Sequence, residues 1–354
     1  MPISELSIEV VVAGLAGGML GGAIGALPSL SLAGFVIIIG EATTGLLSLD
    51  GEATTVEVLG VEAAPLDAVG LTGTVGFGPV LGPHVAFAGG VAAAAYVGRK
   101  ETFDTSFRYH QAKQIAKPPG TDPSRLLVGG AFGLLGVVLA RLAAGLGVPV
   151  DPVMLAIVVS ALLHRVAFGY PLVGRVRNLN RSVLDMSPFE RGERWGQEGY
   201  ETSQGLAGRH VVEVWLPDQY EWENVGVLGV AVGLASGYVA IVTGSPFLAF
   251  GIAAASLAFL ASGLYSFPVT HHMALPASIA ALAVDAEPLV ALAVAAVFGV
   301  LGALAGELAQ RTLYAHADTH LDPPAVSIVL TSLLITLLAT AGVFEPSAVP
   351  YPVL

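Results

Sequence analysis

The sequence predicts an all-α, polytopic transmembrane protein whose ten spans form an inverted 5+5 internal repeat, with the third and eighth segments broken. Three observations predict it. Hydrophobic residues fill 54% of the 354 positions and charged residues 12%, with a mean hydropathy of +0.75, a balance foreign to soluble globular domains. Apolar stretches long enough to cross a bilayer recur along the chain. Two of them, one in each half, are interrupted by glycine and proline around histidine, and such matched interruptions point to a transporter-type site at the bilayer midplane.

The first span, Ile8 to Leu27, carries Gly14, Gly17, Gly18, Gly21, Gly22 and Gly25, and its overlapping G-x-x-x-G spacings call for a closely packed neighbour. Span two, Leu32 to Leu49, follows Pro28-Ser29 and contains Glu41, Thr43 and Thr44. An acidic segment without Lys or Arg, Asp50 to Asp67, suits a short hairpin or an irregular loop. The third segment, Ala68 to Gly98, holds Gly76, Gly78, Pro79, Gly82 and Pro83 before His84, too many breakers for one regular helix. Spans four and five run from Leu126 to Leu146 and from Pro152 to Tyr170. Beyond the polar stretch from Pro171 to Asn224, spans recur at Val225 to Val242, Pro246 to Tyr265, Pro268 to Val284, Pro288 to Gln310 and Pro324 to Val343.

The second five repeat the first. Phe132-Gly133-Leu134-Leu135-Gly136 matches Phe298-Gly299-Val300-Leu301-Gly302. Asp151-Pro152, Ile157-Val158, Ser160 and Leu162-Leu163 match Asp322-Pro323, Ile328-Val329, Thr331 and Leu333-Leu334 at identical spacing, and His84 falls opposite His272. Five is odd, so a linker that stays on one side forces the second repeat in upside down. With both termini outside, the basic stretch 99–125, the Arg-rich linker 171–224 and the loop holding Arg311 all become cytoplasmic, as the positive-inside rule requires. The chain thus divides into repeat 1 (1–170), a cytoplasmic linker or cap (171–224) and repeat 2 (225–354), in the plasma membrane. A parallel repeat, with segments three and eight re-entrant, would put the basic loop and the Arg-rich linker on opposite sides.

The breaks nominate the site. Backbone interrupted inside a bilayer survives only against protein or a water-filled cavity, so Gly78, Pro79, Gly82, Pro83 and Pro268 are candidate cavity lining. Helices restarting after them aim positive N-termini at an anion, with Ser29, Ser266 and Thr270 as further donors. His84, His271 and His272 are candidates for substrate binding or proton relay. Glu41, with Thr44 beside it, is the candidate ion-coupling site. Arg141 and Glu307 occupy equivalent repeat positions, and inverted symmetry assigns them to separate cavities or opposite interfaces. His164-Arg165 reads as a cytoplasmic interfacial anchor, and Trp195, Trp215, Tyr220 and Trp222 as a small cap or interfacial helix with an oligomer contact.

Cysteine is absent, so no disulfide, thiolate metal site or cysteine nucleophile exists. No Walker loop, G-x-S-x-G elbow or H-E-x-x-H occurs; no enzyme activity, cofactor or metal site is expected. The net charge of −12 argues against nucleic acid; the partners expected are a small solute or ion, the bilayer and further copies of the chain in a homo-oligomer. Scarce lysine and acidic loops resemble the proteins of halophilic archaea. The stretch Gly25-Ala26-Leu27-Pro28-Ser29-Leu30 resembles the G-x-L-P-G-L-G element of the large membrane subunit of tripartite tricarboxylate transporters over about ten residues, with Ser29 and Ser31 at its later glycines. The function expected is secondary transport of a small, anionic solute coupled to H⁺ or Na⁺ by alternating access. The rivals are a passive channel and a non-transporting protein that packs into arrays.

Overall fold

A computed structural model describes residues 6–49, 57–58, 61–62, 70–100, 110–175, 182–200, 207–215 and 218–351. The fold is helical. In chain order it comprises α1 (Ile8–Ile24), α2 (Ala26–Leu49), α3 (Ala88–Arg99), α4 (Pro123–Gly145), α5 (Pro152–Ala167), the short α6 (Ser187–Glu190), α7 (Trp222–Thr243), α8 (Leu248–Ala261), α9 (His271–Ala283), α10 (Pro288–Ala309) and α11 (Pro323–Thr340). Two-residue strands, Glu57–Val58 and Val61–Glu62, pair antiparallel within the acidic segment.

Five helices are long and apolar enough to cross a membrane: Ala26–Thr43, Pro123–Gly145, Trp222–Thr243, Pro288–Tyr314 and Pro323–Thr340. Ile8–Ile24, Pro152–Ala167 and Leu248–Ala261 are shorter apolar helices. At 13 residues, α9 rises about 20 Å, less than the roughly 30 Å of a hydrocarbon core. Span two differs from expectation at its start: α2 begins at Ala26, because Pro28 lies in its first turn, where no intrahelical N–H is needed.

Glycine decides the packing within each half. A Cβ on Gly133 of α4 would lie 2.5 Å from the Cα of Gly18 and 2.7 Å from the carbonyl oxygen of Gly14, both on α1. On Gly299 of α10 it would lie 2.7 Å from the Cα of Gly233 and 2.2 Å from the carbonyl oxygen of Gly229, both on α7. The backbones touch, which only glycine permits. Between the halves, Gly34 of α2 meets Ala254 and Ala255 of α8, while Gly251 of α8 meets Ile37 and Ile38 of α2; the two helices therefore run antiparallel. Helices α5 and α11 also run antiparallel: the Asp151 N–H donates to Ser332 Oγ at 2.9 Å, and His164 Nε2 lies 2.9 Å from Thr319 Oγ1. Asp151 and Asp322 each cap the helix that follows, the first accepting from Val153 and Met154, the second from Ala325.

The linker folds back onto the helices. Met186, Trp195, Val211, Val212, Val214 and Ala315 form a small core of their own, while Trp222 stays partly exposed under the Arg311 guanidinium. His164 and Arg165 are not an interfacial anchor. Both are buried, and Arg165 donates to Thr319 Oγ1 and to the carbonyls of Leu172, Leu313 and Thr319. With four acceptors supplied, the guanidinium is satisfied in the interior.

Candidate functional site

Each break sets a histidine at the start of a helix. In the first half, the chain leaves a π-helical turn at Thr72–Gly76, passes through Phe77 to Gly82 without regular structure, and re-enters through a π-helical turn at Pro83–Phe87 that leads into α3. Pro83 serves there as a first-turn proline. A side chain on Gly82 would strike the His84 ring, and one on Gly136 of α4 would lie 1.6 Å from the His84 carbonyl oxygen. Gly78 is equally constrained, since its Cβ would overlap the Thr74 carbonyl.

In the second half, Thr270 stands at the N-cap of α9, without a side-chain cap bond, ahead of His271 and His272. Pro276 lies inside this helix. It has no N–H to offer the carbonyl four residues back, that of His272. That carbonyl is seated against Gly302 of α10, whose Cβ would lie 2.4 Å away. His84 and His272 are thus each pressed, through the carbonyl, on a glycine of a neighbouring helix, Gly136 of α4 and Gly302 of α10.

All three predicted histidines are buried, and Nδ1 of each lacks a hydrogen-bond partner. Phe250 joins the two breaks, its ring 5.6 Å from Phe77 and edge-on to His271 at 5.7 Å. Among the described residues the His84 ring makes no ring contact with His271 or His272; the only ring-to-ring histidine contact there is His271 with His272, at 5.9 Å. Ser29 and Ser31 are buried, but their hydroxyls donate to the carbonyls of Ala26 and Leu27 within α2. They are therefore engaged locally and offer no donor to a solute. Pro268 and Ser266 line a cavity of about 60 Å³ with Gln219 and Asn224.

Glu41 binds across the contact between the halves. Thr72 Oγ1 donates to its Oε1 at 2.6 Å and Ser245 Oγ to its Oε2 at 2.5 Å, so one carboxylate ties α2, the first break and the α7–α8 connection together. Thr44 lies outside the residues whose side chains are described.

Sequence reading did not find the residues that close the opposite end. Lys113 is fully buried; its Nζ meets Glu213 Oε2 at 2.8 Å, donates to the Tyr314 carbonyl at 2.9 Å and lies 4.2 Å above the Tyr314 ring. Arg209 pairs with Glu213 at 2.9 Å and with Asp318 at 3.4 Å, and Arg175 with Asp318 at 3.3 Å. Burial drives the Lys113 ammonium down to about 8 against the pull of Glu213. Burial alone would push Glu213 up, but Lys113 and Arg209 outweigh it and hold the carboxyl below its usual range. Beneath this network Trp215 packs edge-on to His320 at 5.2 Å, and His320 Nε2 lies 3.2 Å from Asp322 Oδ1. The Gln219 side chain donates to the Val269 carbonyl and accepts from its N–H. Arg209, Glu213 and Gln219 of the linker are in this way fastened to the α3–α4 loop, the α8–α9 loop and the segment after α10. The clue available to sequence was the run Asp318-Thr319-His320-Leu321-Asp322, polar between two apolar spans.

Among the described residues no three His, Asp or Glu side chains gather to hold a metal ion. A family model, that of a family of unknown function (DUF7973), matches residues 1–352. No curated protein and no solved structure matches the chain.

Proposed function

We propose that this chain, which belongs to the family of unknown function DUF7973, is a secondary transporter of a small, anionic solute, coupled to H⁺ or Na⁺ by alternating access. Its ten segments form two five-segment halves inserted head to tail in the plasma membrane, both termini outside. Two features support the inverted arrangement: the repeated glycine contacts within the halves, and the antiparallel packing of the equivalent pairs α2 with α8 and α5 with α11. A repeat whose axis lay along the membrane normal would run equivalent helices parallel.

The observation that carries transport is the set of buried imidazole nitrogens without a partner at the breaks, Nδ1 of His84, His271 and His272. Native interiors pair their polar groups. Nδ1 of His316 and His320 is likewise unpartnered, and what sets the three at the breaks apart is their place at two helix starts inside the apolar segments, where we assign them to something that comes and goes. The Glu41 latch at one end and the Lys113 network at the other are the contacts a rocking motion would make and break in turn. Cavities of about 60 and 20 Å³ hold little more than water, which fits a closed state and a solute of few atoms.

Vesicle uptake tests the reading. Purified protein in liposomes, under an imposed pH or Na⁺ gradient, is expected to take up a small anion saturably, with His84→Ala and His272→Ala each lowering the rate at least about tenfold. Non-saturating conductance would mean a channel. The glycine seams of α1 with α4 and α7 with α10 favour one other reading, a densely packed structural protein. Absence of flux for every anion tried, in a stable folded preparation, would favour that one.

A further inference from the structure

The two histidine places are alike in backbone and opposite in charge. The residue five positions after the contacting glycine is Arg141 in α4, after Gly136, and Glu307 in α10, after Gly302. Arg141 thus holds in α4 the position that Glu307 holds in α10. His272 instead shares a cavity of about 20 Å³ with Glu307, walled by Trp215, Gln219, Gly306 and Gln310. The volume suits one water molecule.

Around that cavity the other polar groups are already engaged. Glu307 accepts from Arg311 Nε at 2.6 Å and from Gln310 Nε2 at 2.6 Å. Gln310 Oε1 accepts from the Trp215 N–H, and Gln219 is engaged by Val269. On His272, Nδ1 has no hydrogen-bond partner, and the Nε2 edge of the ring faces Gly306 in the cavity wall.

We propose that His272 and Glu307, bridged by a single water, form a proton-binding site, and that the equivalent place in the first half, His84 with Arg141, takes no proton. The charge inversion divides the labour of the two halves: the one with the carboxylate carries the proton, and the one with the guanidinium does not. The elements packed against the helix of His272 carry these other titratable or charged groups: His271 on the helix itself, Arg311 bonded to Glu307, Asp322 capping α11 with His320 beside it, Glu223 in the first turn of α7 and Glu345 at the far end of α9; α8 carries none. The proton moves from water at the linker side to a ring nitrogen of His272 or an oxygen of Glu307, with no other bond made or broken.

The inference rests on the transporter reading for its meaning, but its test does not require a solute. Infrared difference spectra of the protein in lipid, titrated with acid and base alone, are expected to show, among the titrations of the whole chain, a carboxyl band and an imidazole band that share one midpoint, as one protonation event. Glu307→Gln removes the carboxyl band. His272→Gln moves its midpoint by about one pH unit or more, and His84→Gln leaves it unchanged. Should Glu307→Gln misfold because Arg311 loses its partner, Glu307→Asp and His272→Gln decide the matter. A carboxyl band that ignores His272→Gln, or an event abolished by His84→Gln, overturns the proposal. The event present without anion flux would keep the proton site and remove the transporter; pH-independent anion flux without the event would do the reverse.

Discussion

Lys113 shows at the scale of one side chain what holds the linker shut. Its ammonium is wholly withdrawn from solvent and stays charged because Glu213, the Tyr314 carbonyl and the Tyr314 ring surround it. Removing one partner strands the other charge, so Lys113→Met is expected to destabilise by about 3–5 kcal/mol, and pairing it with Glu213→Leu to recover most of the loss. Thermal unfolding of the single and double variants checks this. Acid acts on the same network. Burial first, then Arg209, hold the His110 imidazole down to about 4, while Asp318 is held low because Arg209, His110 and Arg175 together outweigh its burial. In each case, as for Glu213, the unfolded chain binds more protons than the folded one, so stability falls with falling pH. The loss is expected to begin as His110 passes its ordinary 6.5 and to deepen below the ordinary carboxylate values of Glu213 and Asp318, 4.5 and 3.8. Midpoints of unfolding measured from neutral pH down to about 4 test the sign; a midpoint that rises with acid contradicts it. Sequence could not show this network, since Lys113 and Glu213 are a hundred positions apart and a lone lysine in a loop reads as a solvated charge. Glu41 was legible because a carboxylate inside an apolar run is costly wherever it ends up, yet its hydroxyl partners Thr72 and Ser245 were not.

Among the elements, the two broken segments were the most readable, because proline and glycine impose local geometry regardless of what packs around them. Gly78-Pro79 and Gly82-Pro83 do interrupt the third segment, and His271 does begin a new helix. What the pattern could not convey is why Gly136 and Gly302 are glycines: each makes room for the carbonyl of a histidine on the neighbouring element. Gly136→Ala puts a methyl on the His84 carbonyl, and Gly302→Ala puts one on the carbonyl that Pro276 leaves without a helical donor. Both are expected to destabilise, by at least the 1–3 kcal/mol of ordinary overpacking, with Gly136→Ala the worse because its contact is the closer, 1.6 Å against 2.4 Å. Gly147→Ala is no fair control, since its φ of 65° disfavours any side chain; Gly226→Ala, with open space around it, should be near neutral. If Gly136→Ala and Gly226→Ala proved equally stable, the close approach of α4 to the His84 turn would be refuted.

For the molecule as a whole, the expectation of a repeat came from rare letters in an apolar background. Asp151-Pro152 and Asp322-Pro323 turn out to be caps of equivalent helices, each doing the same job. The way the halves meet was not legible, because the contact of α2 with α8 uses alanine, isoleucine and glycine, letters found all along the chain, and that of α5 with α11 joins Asp151 to Ser332 and His164 to Thr319, pairs 181 and 155 positions apart. The central claim is that these halves lie head to tail in the membrane, which places equivalent loops on opposite faces. Since the chain has no cysteine, one introduced residue is a unique label. Thr121→Cys in the α3–α4 loop and Ala286→Cys in the equivalent α9–α10 loop are both at exposed positions. With an impermeant maleimide on sealed right-side-out vesicles, Ala286→Cys is expected to react at once and Thr121→Cys only after the membrane is opened; reaction of both from the same side would contradict the inverted arrangement.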